Sequence, residues 1–395
     1  MIRLKYQLNK IKWKNPNKTF SEKEVSTLPY ITASSFEKYT YDNYVSIKED
    51  IPIVEKEDTI ILWDWARAGF IEQWHYWFLS STMVLLRINS KYNKKFFYYY
   101  LKSNQKLFRD FANWTTIPHA DWELLDNFYI PNISISTQTT IANYLDGKTD
   151  QISTFIAKKQ QLISCLQEQK KAIIHKAVTK GIEEWVNMKD SGINWIGKIP
   201  SEWKVSKLKF VFRYITWATP DNGKNGYYWW DNNWITISDL NWKYTWESKN
   251  KITDLAVKEK NMKIVPKWSL LYSFKLSVWQ LAFVSQDTYT NEAIFAILEK
   301  EWLNLDFWYY ALGSYFINNA NENIYWAKIF NQFYIDNWFV VVPSFETQNT
   351  IVKYLEQYTS KIDETIAIIE QQINYIEEYR TSLIYHAVTG KLVAV

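Results

Sequence analysis

Four histidines and one cysteine are the residues of this chain best suited to metal or nucleophilic chemistry. A catalytic zinc wants two histidines one helical turn apart, as in HExxH. His75, His119, His175 and His386 stand far apart, and none has a metal spacing. Cys165 is alone, which excludes an internal disulfide and a cysteine-cluster zinc site. No GxSxG, P-loop or GxGxxG occurs. The Asn-Pro-Pro-aromatic motif of amino-methyltransferases is missing, and Pro220-Asp221 has no (D/E)xK partner on a following strand. The expectation is a chain with no catalytic residue, no metal and no cofactor. His175 and His386 read as packing residues near the ends of two helices, and Cys165 as a small apolar residue within one.

What the chain must position is then set by a repeat. Residues 137–145 read TQTTIANYL and 347–355 read TQNTIVKYL, an offset of 210. At the same offset Ile152 matches Ile362, Ile156 matches Ile366, and Ala177-Val178-Thr179 matches Ala387-Val388-Thr389. Upstream, Leu4-Lys5 matches Leu208-Lys209 and Ile31-Thr32 matches Ile235-Thr236, now at 204. Drift of this size is what loop insertions produce. Each copy is a variable globular part followed by a better-matched helical part.

The helical parts carry heptads. Leu355, Ile362, Ile369, Ile376 and Leu383 fall seven apart, with Ile366 and Ile373 at the second seam position. Leu145, Ile152, Leu166 and Ile173 keep the same register, interrupted by Lys159. Such stripes predict a coiled coil. The plainer alternative is two amphipathic helices, each packed on its own domain. In the globular parts, 59–63, 78–88, 269–274 and 292–298 read as buried strands, and 94–112 and 305–321 as helices. KDSGINWIGKIPSEW (189–203) reads as a linker.

The 395 residues are 47% apolar, enough for two or three cored domains. No apolar run is long enough for a membrane helix, the first residues lack a signal-peptide pattern, and the single cysteine suits a reducing cytoplasm. A net charge of +4 supports a nucleic-acid partner only weakly.

Several segments resemble one family. DSGINWIGKIPSEWKVSKLK is similar to the stretch that opens a recognition domain in type I restriction–modification specificity subunits. ITISDL (235–240), 264–283, IYWAKIFNQ (324–332) and WTTIPHAD (114–121) resemble later signatures of that family, and the two TQ-segments resemble the starts of its spacer helices. The resemblance implies an α+β fold: two mixed α/β target-recognition domains separated by two long antiparallel coiled-coil helices, with internal pseudo-two-fold duplication. The implied segments are 1–136 (first recognition domain), 137–189 (central spacer helix and linker), 190–346 (second recognition domain) and 347–395 (C-terminal spacer helix). The implied partners are double-stranded DNA, two methyltransferase subunits and motor-nuclease subunits, with no membrane. In the family-like loops, the candidates for DNA contact are Arg67, Ser80, Ser81, Thr115, Thr116 and His119 in the first copy. In the second they are Lys275, Ser277, Gln280, Lys328, Asn331 and Gln332. Lys and Arg suit phosphates, while Gln and Asn can pair with adenine edges. A scaffold or anti-restriction decoy of the same fold, and an enzyme with an unrecognised site, are the alternatives.

The family pattern is broken systematically. The chain has 22 Trp and 9 Gly, where average usage gives about 28 Gly. Trp13, Trp65, Trp77, Trp114, Trp217, Trp229, Trp230, Trp268, Trp279 and Trp326 stand at Gly-type positions, whereas Trp195 and Trp203 stand where the family has Trp. The inference is a gene that uses TGA for glycine, read as though TGA meant Trp. An aromatic-rich carbohydrate binder is the rival explanation.

Overall fold

In a computed structural model the chain is described except at residues 13, 31–42, 64–67, 75–76, 80–81, 113–119, 217–218, 222–225, 275–279, 320–335 and 392–395. It divides into two compact units, Met1–Gln161 with Ile369–Val395, and Leu162–Ile368. Five helices matter below: α1 (Lys94–Ser103), α2 (Gln105–Ala112), α3 (Ile135–Lys180), α4 (Leu305–Asn319) and α5 (Phe345–Val388).

The first unit is built on a four-stranded antiparallel sheet in the order Leu8–Lys12, Met83–Ile88, Asp58–Leu62, Ile71–Trp74. The apolar runs predicted this: Asp58–Leu62 is buried at every position, so both faces of this strand are covered. Two expectations need correction. Residues 78–88 are not one strand; Trp77–Phe78 pairs with Ile53–Val54, and Met83–Ile88 joins the main sheet. Residues 94–112 are two helices, because Asn104 ends α1 and its backbone N–H turns back to the Leu101 and Lys102 carbonyls.

The second unit has a five-stranded sheet in the order Tyr214–Thr216, Ile294–Ile297, Leu270–Ser273, Leu281–Val284, Tyr244–Thr245, and a separate three-stranded sheet. Residues 189–203 are not a free linker. Met188–Asp190 pairs with Lys198–Pro200, and Trp203 is buried in the main core. Trp195 packs beside it, its ring centroid 5.5 Å from that of Tyr315.

The duplication extends to individual pairings. Thr59 faces Leu86 in the first sheet, and Leu270 faces Ile297 at the matching place in the second. Ile61 faces Ile71 as Tyr272 faces Leu281. A one-residue slip would turn every buried side chain outward, so this shared register is a shared core. The three-stranded sheet has its counterpart too: Tyr30 faces Phe78 in parallel as Trp234 faces Tyr289, and Leu28 faces Val45 as Asn232 faces Ile252.

Both long helices enter both cores. In the first unit Ala142 and Leu145 of α3 share a core with Leu383, Ile384 and Ala387 of α5, and further along α3 Lys159 donates to Gln372 at 3.0 Å. The order rises on one helix as it falls on the other, so the pair is antiparallel. In the second unit Ala177 and Val178 lie in one core with Ile351, Val352 and Leu355, and Lys170 meets Asp363 at 2.6 Å. The alternative of each helix packing only on its own domain is thereby excluded. Buried or half-buried positions step by three and four from Ala142 to Ala177 and from Val352 to Ala387, the spacing of a coiled-coil seam. With 46 residues, α3 is about 69 Å long at ~1.5 Å per residue.

Candidate nucleic-acid interface

A reading surface needs a rigid mount, and each unit uses the same one. Gln138, buried in α3, accepts the Asn93 N–H at 2.9 Å through its side-chain carbonyl and donates to the Ile133 carbonyl. Gln348 in α5 does the same with the Asn304 N–H at 2.9 Å and the Pro343 carbonyl. Asn93 and Asn304 in turn accept from N–H groups in the first turns of α1 and α4, which caps those helices. A buried amide with all its groups satisfied fixes a single geometry. Sequence reading passed over these four residues, although Asn93 and Asn304 also match in the repeat and the glutamines sit within the quoted TQ-segments.

Next to this mount the copies diverge. In the first, Lys95 of α1 pairs with Asp146 of α3. In the second, the corresponding positions, Asp306 and Glu356, are both acidic. Lys243 reaches in between them, 2.7 Å from Asp306 and 3.6 Å from Glu356, with the Phe283 and Tyr309 rings within 6 Å. Burial opposes the Lys243 charge, but Asp306 outweighs it and holds the ammonium well above the usual lysine range. The first unit has its own buried carboxylate. Asp58 is 1% exposed and is held by Arg87 at 2.6 Å and Lys94 at 3.0 Å. Burial works to raise its pKa, yet the Arg87 and Lys94 hydrogen bonds and the Glu55 N–H leave it below the usual carboxylate range.

Of the candidate DNA contacts, Gln280 is described. Its backbone N–H donates to the Ser273 hydroxyl at 3.1 Å, and its carbonyl accepts the Ser273 N–H, at the start of an inner strand. Its side-chain oxygen is buried and has no partner among the described residues. Arg67, Ser80, Ser81, Thr115, Thr116, His119, Lys275, Ser277, Lys328, Asn331 and Gln332 lie outside the described residues.

The residues suited to other chemistry are dispersed. His175 shares a hydrogen bond with the Ser314 hydroxyl at 2.9 Å, and burial, with help from Lys180, lowers its pKa. His386 caps its own helix through the Ser382 carbonyl. Cys165 lies on α3 as expected, but it is exposed rather than packed. Among the described residues no group of His, Cys, Asp and Glu could hold a metal, and no helix is long and apolar enough to cross a membrane.

The tryptophans divide as well. Trp268 has φ +69°, a left-handed conformation disfavoured for any residue with a Cβ, and its repeat counterpart Glu57 has the same φ. The turn itself therefore favours glycine in both copies. Trp77 is in a strand and buried, where its backbone makes no such demand. Trp13, Trp65, Trp114, Trp217, Trp279 and Trp326 lie outside the described residues, as do the side chains of Trp229 and Trp230.

Two sheets of one register, each bolted to two antiparallel helices, define a duplicated recognition module on a helical body. The family model for the type I restriction modification DNA specificity domain matches residues 6–164 and again 200–378, so the chain belongs to that family. The MjaVIII specificity subunit of Methanocaldococcus jannaschii is 32% identical over 212 residues, 53% of this chain and 48% of that one. The MjaIX specificity subunit of the same organism is 32% identical over 118 residues, 29% of this chain and 27% of its own length. The chain thus spans half or less of these two relatives. The EcoBI specificity subunit of Escherichia coli is 24% identical over 328 residues, 77% of this chain and 67% of that one. Among solved structures, a chain from a study of assembly and conformational transition of the type I R-M system shares the fold, with TM-score 0.71 and 12% identity over 98% of this chain and 96% of that one. The HsdS subunit from Thermoanaerobacter tengcongensis does so at TM-score 0.50 and 13% identity, over 99% and 96%.

Proposed function

We propose that this chain is the DNA sequence-specificity subunit of a type I restriction–modification complex and carries out no catalysis itself. Each unit reads one half of a bipartite site in double-stranded DNA, and the two long helices set the unread gap. The observation that carries this reading is the repeated mount: Gln138 with Asn93, and Gln348 with Asn304, fix each recognition fold to a helix that continues into the other unit. Two readers on one chain gain affinity because the second contact is intramolecular. The reading groups are the loop residues named above, with Lys and Arg on phosphates and polar side chains on base edges.

Two methyltransferase subunits dock on the helical body, and motor-nuclease subunits join for cleavage. The exposed apolar residues Tyr144, Phe155, Tyr375 and Tyr379 in the first unit, and Leu162, Tyr358 and Ile368 in the second, suit such partners. A duplicated surface suits two copies of one protein. The test is methylation mapping with purified components. The chain with its methyltransferase partner and S-adenosylmethionine should modify adenines at a split site, and the chain alone should modify nothing. Methylation by the chain alone would overturn the non-catalytic assignment.

A further inference from the structure

In the first unit, α1, α2, the start of α3 and the end of α5 enclose a cleft of about 640 Å³. Four of its lining residues are cations. Lys102 is neutralised by Glu72 at 2.5 Å. Lys106 and Arg109, both exposed, have no ion pair among the described residues, and Arg380 has only a 3.9 Å contact with Glu377 of its own helix. Asp110 is the one carboxylate left to set against these three.

The second unit shows that this charge is not a by-product of the fold. Its corresponding cleft, about 540 Å³, is lined on the globular side by Leu281, Tyr309, Tyr310, Gly313 and Ser314, which supply no cation, and on α3 by Lys170, Lys171 and His175. Lys170 stands at the position of Arg380 but is paired with Asp363. The residue matching Asp363 in the first unit is Ser153, which lines the cleft with a hydroxyl and leaves Arg380 without a carboxylate across the seam.

Location selects the ligand. Gly69 has φ +83° and lies so close to α2 that a Cβ there would be 2.7 Å from the Arg109 nitrogen and the Phe108 carbonyl carbon. The Arg109 guanidinium lies 4.3 Å from the Phe70 ring centroid. Helix α2 is therefore pressed against the turn that follows candidate Arg67, and it ends where the segment holding Thr115, Thr116 and His119 begins. Cations flanking base-reading loops are placed to hold a phosphate backbone.

We propose that Lys106, Arg109 and Arg380 grip DNA phosphates beside the first half-site, so that the C-terminal helix contacts DNA as well as spacing the readers. This rests on the reading of the chain as a DNA-binding subunit. Each phosphate contact releases counterions, so its loss lowers the slope of log K against log salt by about 1. The full-length chain, with its methyltransferase partner, is titrated with its target duplex and with an unrelated duplex between 50 and 200 mM salt. K106Q, R109Q and R380Q should each weaken both duplexes by the same factor and reduce the slope by about 1. R380K, which keeps the charge, should restore most of the slope, and K353Q, an exposed change elsewhere on α5, should leave it intact. Unaltered slopes in the three variants overturn the proposal while the DNA-binding reading stands. So does weaker capture of the methyltransferase with unaltered slopes, which would assign the cleft to an acidic protein surface. A wild-type complex that binds neither duplex overturns the reading and the proposal together.

Discussion

The mounts and the clefts of the two units tell opposite stories. The mount is repeated in its main contacts: Gln–Asn anchor, capped helix, shared strand register and a threonine in each seam, Thr149 and Thr359, whose hydroxyl returns to the Leu145 or Leu355 carbonyl. The charges around the clefts are not repeated. One unit carries a buried Asp58 and a cleft in which Lys106 and Arg109 have no ion pair among the described residues, and the other carries a Lys243 clamp. The contacts that hold each fold to its helix are duplicated, and the side chains around the clefts have diverged. That is the expected outcome when two halves of a target differ in sequence but must be held by one geometry.

The largest effects should come from breaking the repeated part. Leu145 and Leu355 are each fully buried where a long helix meets its own recognition fold. Leu145→Ala and Leu355→Ala should each cost about 2–5 kcal/mol, and by similar amounts. Urea unfolding followed by hydrogen exchange would check this. Costs that differ by more than twofold would mean that the mounts are equivalent in outline only.

A smaller effect should separate the units by pH. The pKa of Asp58 is below its unfolded value in the first unit, and the matching residue in the second is Ser269. A depressed carboxylate contributes stability that is present above its unfolded pKa, near 3.9, and is lost as pH falls through the folded value. Below about pH 4 the first unit should open before the second. Asp58→Asn should cost about 1.5–3 kcal/mol at neutral pH and reduce that difference. Hydrogen exchange at pH 3.5 and 6 reads both, and simultaneous opening of the units would refute the assignment.

The smallest effect concerns one turn. Trp268→Gly should stabilise the second unit by about 1 kcal/mol, since it relieves a left-handed conformation, and Glu57→Gly should act likewise in the first. If the glycine-codon inference is right, the gene has TGA at Trp268 and at the nine companion positions, and TGG at Trp195 and Trp203. TGG at most of the ten would end that inference.

The repeated part was legible in the sequence, because a heptad stripe and a second copy each reveal a core position without a structure. Leu145, Ile152, Ile362 and Leu383 were placed on the seam that way. The glycine-type turn at Trp268 was legible from the resemblance to the family, which suggests Gly where this chain has Trp. Contacts between residues distant in sequence were not. Nothing local marks Asp58 as the partner of Arg87 and Lys94, or Lys243 as the bridge between Asp306 and Glu356. Asn104 breaking 94–112 into two helices was missed because its neighbours are good helix formers. Base-reading loops were the least legible part, since their residues answer to a DNA sequence that the chain does not contain.

The most direct test of the central claim is to lengthen the ruler and leave the readers alone. One heptad is inserted at matching positions in the middle of α3 and α5, and the methylated site is mapped with the methyltransferase present. About 10.5 Å of added helix is worth about three base pairs. The account predicts both half-sites unchanged in sequence and the gap between them longer by about three base pairs. An unchanged gap, or half-sites of altered sequence, would contradict it.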